Sequence, residues 1–147
     1  MEWGFIQRIL RVWADHKAEH VITLRKRFTV AEVNAGADLV VSPGPGMRIR
    51  PVDMSAIAVG GAATVATDVR ILGTRAAVSV ALLIAAIAGL TQNTLLRAGA
   101  ANATILAGGE SFTELDADTK VTVGKTGGTL AGATHIDVIF NYTLVTQ

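Results

Sequence analysis

The chain has 147 residues, half of them hydrophobic but only 5% aromatic, and no cysteine. That length fits one domain with a real core, and the missing cysteine excludes disulfides, thiolate metal sites and thiol nucleophiles. Thirteen Lys/Arg against twelve Asp/Glu leave a net charge of +1, so the chain as a whole carries no nucleic-acid signature. The charge is uneven: residues 1–50 hold eight Lys/Arg and five Asp/Glu, and residues 51–147 hold five and seven.

The opening "MEWGFIQRILRVWADHK" has an acid at position 2 and charges that interrupt its apolar residues, unlike an export signal. Residues 3–16 read as a short amphipathic helix. Ile6, Ile9, Leu10 and Trp13 recur at helical spacing, Trp3 and Phe5 add bulk, and Arg8, Arg11 and Asp15 face elsewhere. A helix this short is marginal alone in water, so its stripe needs a surface, on its own domain or on a partner.

From Val21 the period changes to two. Ile22, Leu24, Lys26, Phe28 and Val30 alternate with Thr23, Arg25, Arg27 and Thr29, which predicts a strand with one buried side. The run Arg25-Lys26-Arg27 is either an edge face on which cations discourage stray pairing, or a contact for an acidic partner. Asn34-Ala35-Gly36 marks a turn, "DLVV" a short strand, and "SPGPG" a turn that no central strand could hold. "MRIRPVDMSAIAV" predicts a strand with an irregularity near Pro51. "ATVATDVRIL" predicts another, ended by Gly73.

Residues 76–90, "AAVSVALLIAAIAGL", mix strand signals at Val78 and Val80 with a stretch that tolerates a helical turn. This run of 15 residues is shorter than the about 20 needed to span a bilayer. Core or subunit interface is expected, and no membrane. Residues 91–120 read as loop with apolar pieces at Leu95–Leu96 and Thr104–Leu106. "TKVTVGK" is a strand, Thr126-Gly127-Gly128 a turn, and "THIDVIFNYTLV" a last long strand with Ile136, Val138, Phe140, Tyr142 and Leu144 on one face. Roughly eight strands between Gly/Pro/Asn turns predict an all-β fold. The expected architecture is a jelly-roll-like antiparallel β-sandwich over residues 21–147, preceded by a short N-terminal amphipathic helical arm over 1–20.

Motifs with chemistry are sparse. Gly124-Lys125-Thr126 ends like a phosphate loop, but that motif needs Gly at 119, where Thr119 stands, and a helix afterwards. A Gly-rich hairpin connection into the last strand fits better. "HKAEH", His16 to His20, matches H-x-x-E-H, a zinc-peptidase signature, with Glu19 as a conceivable base. The expected helix ends there, and a catalytic zinc also needs a third ligand and a cleft. Glu110, Glu114, Asp116 and Asp118 cluster without calcium-loop spacing and read as a solvated loop. His135 reads as a surface histidine. Asn102-Ala-Thr104 and Asn141-Tyr-Thr143 fit the glycosylation sequon, but without an export signal they are assigned no role.

"VNAGADLVVSPGPGMRIRPVDM" and "KVTVGKTGGTLAGATHIDVIFNYTLV" give the β-rich part, residues 28–147, a family likeness. It resembles the small jelly-roll proteins of tailed bacteriophages, the capsid decoration (cement) proteins and related head-fibre or spike modules. The likeness rests on a pattern of strands and turns and leaves out the N-terminal helix and residues 76–90. It implies a homotrimer on the virion surface, without enzymatic activity or cofactor, bound to the major capsid protein lattice and stabilising the head. In that setting Trp3, Phe5, Ile6, Ile9, Leu10 and Trp13 of the arm, with Arg25, Lys26 and Arg27, are candidates for gripping the shell or an adjacent subunit. Equally, the tryptophans could cover the base of their own domain. Val78, Val80, Leu82, Leu83, Ile84 and Ile87 are candidates for the subunit interface. A receptor- or carbohydrate-binding module of a fibre or tail spike is the alternative. A zinc hydrolase around His16 and His20 ranks last.

Overall fold

The computed structural model describes residues 20–146. Residues 1–19 of the expected arm, with Trp3, Phe5, Ile6, Ile9, Leu10, Trp13 and His16, lie outside the described residues; His20 is exposed just before β1.

From Val21 the alternation of apolar and polar residues becomes strand β1, Ile22–Thr29. It stops one residue earlier than its period suggests, because Thr29 caps a short helix, α1, Val30–Ala35. The Thr29 hydroxyl accepts from the Glu32 N–H, and the Glu32 carboxylate accepts from the Thr29 N–H. This is a capping box, and Thr29-x-x-Glu32 is its sequence signature. Gly36 ends the helix in the left-handed region at φ 80°, so the expected turn is in place.

The remaining strands are β2, Ala37–Val40; β3, Met47–Val59; β4, Thr64–Arg75; β5, Val78–Ala86; β6, Leu96–Arg97; β7, Ala103–Ile105; β8, Val121–Ala131; and β9, His135–Thr146. One sheet has the order β1-β9-β3-β6 and the other β2-β8-β4-β5-β7, all antiparallel. Among these pairs, β1 joins β9, β2 joins β8, β3 joins β6 and β4 joins β5. The pairing is therefore nested, as in a two-stranded ribbon rolled on itself, with β7 added at one edge. That is a jelly roll, a form of all-β sandwich with two Greek keys.

The core lies between the sheets. Phe28, Ile49, Met54, Ile136, Val138 and Phe140 enter it from the first sheet, and Val69, Ile71, Leu83, Val121 and Val123 from the second. Alternation along β9 places Ile136, Val138 and Phe140 inside, with Phe140 stacked on Tyr142 at 5.3 Å between ring centroids.

Several ladder irregularities adjust the phase, among them a shift between Asp38 and Val40 where β2 pairs with β8 and the three that follow. Between Pro51 and Asp53 the pairing with β9 slips, leaving Val52 as the extra residue. This is the irregularity expected near a proline, which lacks a ladder donor. A second slip, between Ile71 and Leu72, makes Leu82 the extra residue on β5, so both Leu82 and Leu83 are buried. A third lies where β4 meets β8 around Val65, which has φ +71° and is 68% exposed. Opposite it, Thr126-Gly127-Gly128 is not the expected turn but part of β8. At Gly127, φ 75°, a Cβ would lie 2.3 Å from the Thr67 hydroxyl. Nor is the link into β9 a hairpin: Gly132–Thr134 crosses from one sheet to the other, and the Thr134 N–H donates to the Val59 carbonyl at 2.9 Å.

Strand β4 also runs past Gly73 rather than ending there. Gly73 is where Leu115 enters the core: a Cβ at Gly73 would lie 2.7 Å from a Leu115 methyl. Leu115 is fully buried, and its N–H donates to the Ile49 carbonyl at 2.9 Å. The neighbouring Asp116 braces the β4–β5 hairpin, whose tip is Ala76 and Ala77, both at positive φ. Its carboxylate accepts from the Ala76 N–H at 3.0 Å and the Ala77 N–H at 2.8 Å, and those two bonds hold it below the usual carboxylate range.

Two stability changes follow. Leu115→Ala should cost about 2–5 kcal/mol by leaving a cavity. Ala77→Gly should add about 0.5–1 kcal/mol by relieving a left-handed alanine, less the entropy gained by the unfolded chain. Shifts in the urea midpoint read both.

Candidate partner-binding surfaces

Strand β1 is an edge of its sheet, as its run of cations suggests. Arg25 and Arg27 project on the outer face, where Arg27 stands opposite Asp137 of β9. Arg27 binds that carboxylate through two bonds, Nε to Oδ1 at 2.6 Å and Nη2 to Oδ2 at 2.9 Å. Arg25 adds a third, Nη2 to Oδ2 at 3.1 Å. Asp137 is 2% exposed, whereas the Arg25 and Arg27 side chains are 63% and 55% exposed. The Arg27 hydrogen bond holds the Asp137 carboxyl below its ordinary range; burial pushes the other way, and Arg25 assists Arg27. The same bond raises the Arg27 guanidinium.

Lys26 projects on the opposite face. Its Nζ donates to the Asp38 carbonyl at 2.6 Å and sits 4.9 Å from the Phe28 ring centroid. The expected basic contact is therefore already engaged within the chain. It still offers two exposed guanidiniums around one carboxylate, a modest positive patch on a sheet edge. Asp137 is a residue that sequence reasoning missed. Its only local signal is an acid amid the apolar residues of "HIDVIF"; its partners lie 110 and 112 residues away.

The expected subunit face over 78–87 is reduced. Leu82 and Leu83 are 0% and 1% exposed inside the protomer and have no surface to offer a second copy. Val80 and Ile87 are half-buried against the same core. Val78 remains, 62% exposed, and Ile84 is half-buried on the outer face, opposite Arg70 and Thr104. Further exposed apolar side chains are Val21 just before β1, Ile22 at its start, Val41 just after β2, Val52 and Val65 at ladder irregularities, and Leu95 just before β6.

The acidic stretch does not converge. Glu114 pairs with Arg50, Asp116 braces the hairpin, and Asp118 accepts from the Ser42 hydroxyl. Among the described residues no group of three His, Asp or Glu could hold a metal ion, and no helix is long and apolar enough to cross a membrane. His135 Nδ1 lies 3.0 Å from the Thr134 hydroxyl.

Asp137→Asn should lower stability at neutral pH by about 1–3 kcal/mol, the loss of charge-assisted hydrogen bonds at a buried acceptor. Because the native carboxyl is held low, its contribution is complete above the unfolded value of about 3.9 and fades as pH falls through the folded value. The Asn variant should therefore lose less stability than the parent below about pH 4 in urea titrations. Comparison with protein-family models, curated proteins and solved structures finds no match for this chain.

Proposed function

We propose that this chain is a non-enzymatic structural virion protein, a trimeric capsid decoration protein bound to the outer surface of the major capsid protein lattice of a tailed phage. The observation that carries the reading is the nested strand order of the jelly roll, a fold used by viral capsid and lectin domains. Fold alone does not give function, so two surface features are added. The protomer closes its core with its own side chains, leaving Val21, Ile22, Val41 and Val78 exposed for contact with other molecules. In addition, the sequence places the six large apolar residues of the arm ahead of β1. In this reading they grip the shell or a neighbouring subunit, where aromatic anchors commonly dominate binding energy.

The test mixes purified protein with undecorated phage heads and images the particles, with sedimentation equilibrium on the free protein. The expected outcome is a trimer in solution and added density at three-fold positions of the shell. Removing residues 1–20 should abolish attachment while the far-UV dichroism of the β-domain is kept. A protein that remains monomeric and ignores the heads refutes the reading. Attachment to cell-surface glycans instead would indicate a fibre or spike module.

A further inference from the structure

We propose that the open apolar end of the sandwich where β1 begins is the seat of this chain's own N-terminal arm, with Leu10 and Trp13 packed against Ile22, Leu24, Tyr142 and Leu144. Trp3 and Phe5 are then the part of the arm left for the capsid shell. The anchor follows from the fold; the grip rests on the virion reading, which it refines.

Along the inner face of β9, burial falls off towards the C-terminus. Ile136, Val138 and Phe140 are fully buried, Tyr142 and Leu144 are half-buried, and Thr146 is exposed. On β1 burial falls off towards the N-terminus: Phe28 is fully buried, Leu24 half-buried and Ile22 37% exposed. Register brings the two gradients together, with Leu24 opposite Phe140 and Ile22 opposite Tyr142. The cause is the shortness of β2. Helix α1 turns the chain back, so β2 runs over β1 from its Thr29 end, and the Lys26 Nζ meets the Asp38 carbonyl at 2.6 Å. Strand β2 stops at Val40, two residues beyond Asp38, and two residues from Lys26 in the same direction is Leu24. Ile22, Tyr142 and Leu144 therefore form an apolar ledge past the cover of β2. Val41, which follows β2, is 70% exposed at the same end.

Chain continuity names the occupant. Residues 1–19 join the described chain at His20, and β1 starts on the ledge itself, at Ile22. The stripe Ile6, Ile9, Leu10 and Trp13 needs a surface to cover it. Trp13 precedes Ile22 by nine residues. Joined by so short a stretch, the stripe meets its own ledge at an effective concentration on the order of millimolar or above, which a second copy in dilute solution does not match. The ledge offers only what is left uncovered of a few side chains, too little for all six large apolar residues of the arm. Leu10 and Trp13, nearest the join, take it. Trp3 and Phe5, at the far end, are left over, and free aromatic side chains suit a partner surface.

The test uses the two tryptophans of the sequence, Trp3 and Trp13, in the full chain. Trp3→Phe leaves Trp13 as the sole reporter, and Trp13→Phe leaves Trp3. In the free protein, Trp13 emission should be blue-shifted and resist acrylamide, whereas Trp3 should match N-acetyltryptophanamide. The Trp13 indole should give NOEs to Tyr142 and Leu144. In a sample refolded from mixed labelled and unlabelled chains, those NOEs should arise within one chain. Ile22→Asp, with the β-domain dichroism retained, should shift Trp13 emission to the red; if that variant unfolds, the NOEs decide. On undecorated heads Trp3 should become protected while Trp13 stays as it was. The anchor is overturned by a Trp13 as quenchable as N-acetyltryptophanamide, by NOEs that cross between copies, or by a folded Ile22→Asp that leaves Trp13 emission unchanged. A Trp3 covered in the free protein, or exposed on decorated heads, overturns the grip alone. Heads that take up no protein count against the virion reading and its grip, and the free-protein measurements still decide the anchor.

Discussion

Burial of Leu115 between the two sheets is the contact on which the surface of this molecule depends. Each sheet has one apolar face, and the sandwich has two open sides. On one, helix α1 links β1 to β2, and Val33 closes the gap from within. On the other, the edges are β6 and β7, two and three residues long, too short to seal a core. A loop must do it. Leu115 supplies the side chain, Gly73 the space, and the Ile49 carbonyl the anchor for the backbone.

Consequences spread along that loop. Once Leu115 is fixed, Glu114 must lie over the outer face of β3 and Asp116 against the β4–β5 hairpin. Asp116 in turn lets two alanines occupy a hairpin tip that ordinarily takes asparagine and glycine. Buried Ser111 continues the attachment, its hydroxyl donating to the Leu82 carbonyl at 2.6 Å and accepting from the Leu106 N–H at 2.8 Å. A segment that reads as solvated loop is therefore a structural wall, and its acids are counter-charges with separate tasks rather than a metal cage.

The outer faces follow a related rule. Acids that point away from the core are buried by arginines rather than by apolar groups: Asp137 by Arg25 and Arg27, and Asp68 by Arg70. A carboxylate at 2% or 5% exposure is tolerable only with such partners. The arginines keep much of their own surface in water, so these pairs fix strand faces without removing the charge that another molecule could meet.

The sequence alone determined the class of fold and most of the strands, because period two and Gly/Pro punctuation are local and are written along "MRIRPVDMSAIAV" and "HIDVIFNYTLV" without reference to anything distant. It also placed the edge character of β1 and the defect near Pro51, since cation runs and a missing N–H act where they stand. Thr29-x-x-Glu32 was equally local and marks the helix that the strand period concealed. Only the tertiary structure decided that β8 passes straight through Gly127 and Gly128, that Leu82 and Leu83 both turn inward, and that Arg27 meets Asp137 and Arg50 meets Glu114. Those outcomes depend on the register between strands far apart in the chain and on which loop fills an open side. A one-residue slip reverses the faces of a strand, so local pattern cannot supply them.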